Sequence, residues 1–76
     1  MFSYTVAKNA DKKAFDRICA LIESKTTDIT KEKVLEDVDG TSIQIYRTSN
    51  GKIKVCNDYD VDAVYVDSDL NLDHII

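Results

Sequence analysis

Only one stretch of this chain repeats its apolar residues with a helical period. Phe15, Ile18, Cys19 and Ile22 stand at i, i+3, i+4 and i+7, a single stripe on a helix of about four turns, with Leu21 beside it. Lys12, Lys13, Asp16, Arg17, Glu23 and Lys25 fall largely off the stripe and can face water. Asn9 or Asp11 can cap the start by accepting from free N–H groups, and Thr26-Thr27-Asp28 interrupts the pattern with turn-forming residues. One helix cannot bury its stripe alone, so the remainder of the chain must supply the facing surface.

That remainder alternates with a period of two. Phe2, Tyr4 and Val6 alternate with Ser3, Thr5 and Ala7, which predicts a half-buried strand. Ile29 to Val38 fits either a short helix capped by Thr30 and stopped by Gly40, or a strand from Lys33 to Val38. The strand is preferred, entering a two-residue Asp39-Gly40 hairpin turn that pairs Val38 with Thr41. For the next hairpin, Ile43 and Ile45 share one face and Ile53 and Val55 share another. A three-residue Ser49-Asn50-Gly51 loop pairs Ile45 with Val55 and brings those faces together, with Gly51 in a bulge. Asn57-Asp58 is expected to turn, and Val61 to Val66 to form the last strand. The predicted fold is α+β: one domain over residues 1–76, with a helix at about residues 10–25 packed on an antiparallel sheet of four to five strands, order β-α-β-β-β.

Composition narrows the function classes. The hydrophobic share of 43% suffices for a globular core, and the absence of Pro with only two Gly excludes a collagen or a low-complexity chain. At 76 residues one small domain is expected, and not a multidomain enzyme. Its apolar runs fall far short of the roughly 20 residues a bilayer-spanning helix needs, and its start lacks a basic leader, so a cytoplasmic location away from membranes is expected. The two cysteines, Cys19 and Cys56, with the lone His74, make a poor zinc set, and free thiols are expected.

Charge is unevenly placed. Six of the 14 acids and none of the ten bases lie in residues 57–76, within an overall charge of −4. Such an end repels phosphate and steers a basic protein toward itself, so no nucleic acid is expected as a partner. Asp58-Tyr59-Asp60-Val61-Asp62 places carboxylates as the first half of a calcium loop does, but Ala63 replaces the Gly required at the sixth position and Asp69 the Glu at the twelfth. Asp37-Val38-Asp39-Gly40-Thr41 resembles the DxDGT motif of haloacid-dehalogenase-type phosphotransferases. By that match Asp37 is the nucleophile and Asp39 the general acid, with magnesium between them. The family's large parallel sheet has no room in 76 residues, and the turn-forming value of Asp39-Gly40 accounts for the same letters.

No other catalytic set is legible. The expected function is therefore that of a small acidic binding protein, of the toxin-immunity, nuclease-inhibitor or phage-inhibitor kind. It would occlude a basic protein partner with Asp58, Tyr59, Asp60, Asp62, Tyr65, Asp67 and Asp69. The alternatives are a self-assembling accessory domain that forms a homodimer through a sheet edge, or a weak calcium-binding module. No cofactor is expected.

Overall fold

The computed structural model describes residues 1–76, and the chain forms one helix against a six-stranded antiparallel sheet, the α+β arrangement expected. In chain order the elements are β1 (Phe2–Ala7), α1 (Lys12–Lys25), β2 (Thr30–Lys31), β3 (Leu35–Glu36), β4 (Ser42–Thr48), β5 (Gly51–Asp58) and β6 (Ala63–Ser68). The sheet runs β1-β6-β5-β4-β2, with β3 also pairing along β4. The strand count is one above the expectation because both short strands between the helix and β4 pair with it, Thr30 opposite Arg47 and Leu35 opposite Ile43.

The helix forms where its stripe predicts. Asp11 is the N-cap, its carboxylate accepting from the Lys13 N–H at 2.9 Å, and the Thr26 N–H closes the last turn on the Ile22 carbonyl. Ala14, Phe15, Ile18, Cys19 and Ile22 are buried against Tyr46, Ile53, Val55, Val64 and Val66 of the sheet. Each fully buried large apolar side chain there contributes about 1.5–3 kcal/mol. Leu72, beyond the last strand, completes the core, and its N–H donates to Tyr4 Oη at 2.7 Å.

Both hairpin registers differ from expectation. Strand β3 stops at Glu36, where Lys33 to Val38 was expected, and Leu35 lies opposite Ile43. The Asp37 N–H donates to the Thr41 carbonyl and the Gly40 N–H to the Asp37 carbonyl, so Val38-Asp39-Gly40 forms a three-residue loop. Gly40 takes φ +93, where side-chain-bearing residues are strained.

The second hairpin does the reverse. Thr48 pairs with Gly51 and Ile45 with Lys54, leaving a two-residue Ser49-Asn50 loop and no bulge. Thr48 Oγ1 accepts from the Asn50 N–H and donates to the Gly51 carbonyl, which stabilises this tighter turn. The core face of β4 carries Ser42, Gln44 and Tyr46, while Ile43 and Ile45 face the open side. Tyr46 can serve as a core residue because its hydroxyl is satisfied, donating to Glu23.

Asn57-Asp58 is not a turn. Asn57 is buried under the helix start, where its Oδ1 accepts from the Asp11 N–H at 2.9 Å, and β5 continues through Asp58. The reversal falls at Tyr59–Asp62, so the last strand is Ala63–Ser68 in place of the expected Val61–Val66. Asp62 closes that turn at φ 57, a left-handed conformation that Asp tolerates better than most residues.

Candidate functional site

Three connections converge at one end of the sheet. Strands β4 and β5 bring them together, since Ser42 at the start of one lies opposite Asn57 near the end of the other. The Tyr59 N–H donates to Thr41 Oγ1 at 3.1 Å, and the Tyr59 ring lies against Gly40, joining the β3–β4 and β5–β6 turns. Asp62 ties in the segment before α1, accepting from the Ala10 N–H at 2.8 Å and from Asn9 Nδ2 at 2.9 Å.

This acidic pole gathers Glu36, Asp37, Asp39, Asp58, Asp60 and Asp62 around exposed apolar tips. Val38 is fully exposed, Val61 is 62% exposed and Tyr59 47%. The chain's three ion pairs, Lys12–Asp16, Lys31–Glu23 and Arg47–Glu32, use none of the pole acids. The Asp37–Thr41 and Tyr59–Asp62 turns hold no Lys or Arg.

Several of these carboxylates are fixed by backbone donors. Asp58 Oδ1 accepts from the N–H groups of Asp60 (2.9 Å) and Val61 (3.2 Å), which pins the β5–β6 turn. The Thr41 N–H holds the Asp39 carboxyl below its usual range, and the Ala10 N–H, followed by Asn9, does the same for Asp62. Both stay ionised into mild acid. No three His, Cys, Asp or Glu side chains come together as a group able to hold a metal ion.

The expected site residues divide between the two ends of the sheet. Asp58, Tyr59, Asp60 and Asp62 sit together at the pole. Tyr65 lies half-buried on the sheet face away from the helix, in register with Cys56 and Thr5. Its hydroxyl reaches Asp58 Oδ2 at 3.4 Å, and the neighbouring Cys56 thiol, and then burial, hold it above its usual range. Asp67 accepts from Ser3 Oγ at 2.8 Å and stands opposite Lys54, while Asp69 accepts from the Lys52 N–H at 2.9 Å. The length of β6, about 20 Å, separates these last two from Asp62. The carboxyl-rich end of the chain therefore does not form one continuous surface.

Sequence reasoning missed Asp37, Asp39, Val38 and Val61 as parts of the pole. The signal was present in Asp37-Val38-Asp39, which repeats the acid–apolar alternation of Asp60-Val61-Asp62, but it lay in a different segment. The cysteines lie on opposite sides of the sheet, Cys19 on the buried face of α1 and Cys56 on the sheet face away from the helix. Both are free thiols pushed up by burial. Compared with protein-family models, curated proteins and solved structures, the chain matches none.

Proposed function

We propose that the protein is a non-catalytic binding protein that occludes a basic protein partner with its acidic pole. One observation carries this reading: two turns distant in sequence are held together so that their unpaired carboxylates ring exposed Val38, Tyr59 and Val61. A protein hot spot has this form, with an apolar or aromatic anchor surrounded by charges that steer and orient the partner. Asp67 and Asp69, at the other end of the sheet, take no part.

The partner would be recovered from an extract of the native host at low salt. The triple variant Asp37→Asn, Asp39→Asn, Asp60→Asn should then associate at least tenfold more slowly and lose much of its salt dependence. A control carrying Asp67→Asn and Asp73→Asn should associate at close to the parent rate. An unchanged rate for the triple variant removes the reading.

A second reading has its own support. Strand β1 pairs with β6 on one side and has no strand on the other, an open edge that a second copy could extend. A salt-insensitive dimer on sizing, disrupted by Thr5→Pro, would favour it.

A further inference from the structure

The largest recess of the molecule, about 280 Å³, runs between α1 and the β3–β4 side of the sheet. Glu36 and Ser42, which line it, flank the Asp37–Thr41 turn, so the recess opens beside the acidic pole. Its volume lies just below the roughly 300–1,000 Å³ of small-molecule sites, a size suited to one inserted side chain.

The two lysines beside this cleft are each held by a carboxylate. Lys12 holds Asp16 at 3.0 Å and Lys31 holds Glu23 at 3.2 Å. Gln44 Nε2 donates to the carbonyls of Glu32 and Ile45, and Ser42 Oγ donates to the Gly40 carbonyl at 3.4 Å. The acceptors are not engaged in the same way. Gln44 is only 4% exposed, yet its Oε1 accepts no hydrogen bond from the protein and is not sealed from solvent. That oxygen is reachable by solvent and keeps its accepting capacity for a donor that enters the cleft. Glu36 also lines the cleft and forms no ion pair.

We propose that this cleft receives an arginine side chain of the partner, its guanidinium donating to Gln44 Oε1 and the Glu36 carboxylate, with Ser42 Oγ as a further acceptor. The inference rests on the pole being the docking surface, and it specifies what the partner inserts beside it. A cleft whose lysines are held in ion pairs, while Gln44 Oε1 and the Glu36 carboxylate stay open to accept, suits a ligand with donors only. The guanidinium presents five in a fixed plane, enough to meet several acceptors at once, where an ammonium is a compact point charge.

The test uses the isotope-labelled full chain and three probes: N-acetylarginine methylamide, its lysine counterpart, and the uncharged isostere N-acetylcitrulline methylamide. The arginine probe should give saturable NMR shifts at the amides of Cys19, Glu36, Ser42 and Gln44, and bind about fivefold or more tighter than the other two. Glu36→Gln should weaken it about fivefold, the difference between a charged and a neutral acceptor, while Asp60→Asn changes it less than twofold. Absence of shifts, shifts confined to residues 37–41 and 58–62, or equal binding of arginine and citrulline probes would each overturn the proposal. Those results leave the occlusion reading intact, because that reading fails only on an unchanged association rate of the triple variant.

Discussion

Tyr46 Oη donates to the Glu23 carboxylate across the seam between the sheet and the last turns of the helix. The tyrosine is wholly buried, and its hydroxyl also reaches the Cys19 carbonyl at 3.4 Å. That bond, followed by the contacts with Lys31, outweighs desolvation and holds the Glu23 carboxyl below its usual range. Burial, reinforced by the same bond, pushes the Tyr46 hydroxyl far up. Tyr46→Phe should cost about 1–2 kcal/mol in urea unfolding, since it removes one hydrogen bond to a charged acceptor without opening a cavity.

The same pair sets a pH dependence. Glu23, Asp39 and Asp62 all have folded-state values below their ordinary ones of 4.5, 3.8 and 3.8, so the unfolded chain binds protons more tightly. Their contribution is present above those ordinary values and lost as pH falls through the lower folded ones. Thermal unfolding temperature should therefore be level above about pH 5 and decline below it. Glu23→Gln should shallow that decline; an identical slope would show that Glu23 is not a contributor.

The glycines give a ranked pair. A Cβ at Gly51 would stand 2.5 Å from Asp69 Cβ with φ at +134, while one at Gly40 would meet the movable Tyr59 ring at 3.3 Å with φ at +93. Gly51→Ala should cost about 2–4 kcal/mol and Gly40→Ala about 1–2. Gly40→Ala should also displace Tyr59, visible as a change in its fluorescence, and slow partner association.

Asn57 fastens the beginning of the helix to the middle of the sheet. Asn57→Ala leaves the Asp11 N–H without its acceptor and should cost about 2 kcal/mol. Hydrogen exchange should accelerate most at Asp11 to Phe15. Uniform acceleration over the whole chain would mean that the residue acts only on global stability.

Thr26 offers the opposite sign. Its Oγ1 is buried with no hydrogen-bond partner, a cost without a compensating gain. Thr26→Val keeps the shape and removes the stranded hydroxyl, and should stabilise the chain by about 0.5–1 kcal/mol in urea unfolding. A loss of stability would indicate that the hydroxyl is satisfied by water.

The helix was legible because four apolar residues and one capping Asp all specify the same segment. The sheet order was less so. Ile43 and Ile45 suggest a core face by hydrophobicity alone, but Tyr46 wins that face because Glu23, supplied by the helix, satisfies its hydroxyl. Such a compensation between distant residues leaves no mark in local periodicity. The pole was half legible for a related reason. Asp58, Asp60 and Asp62 lie in one run, while Asp37 and Asp39 join them only through the pairing of β4 with β5 and the Thr41–Tyr59 hydrogen bond. Gln44 and Ser42 could not be anticipated as cleft residues once the register was inverted.

Strand β1 has β6 as its sole neighbour in the sheet, with Phe2 opposite Ser68, so it cannot be seated until β6 has been made. During synthesis β1 therefore waits unpaired while α1 and β2 to β5 are made. Helper chaperones would find their target in that waiting segment, and translation speed through the β5–β6 region would govern how long it stays vulnerable.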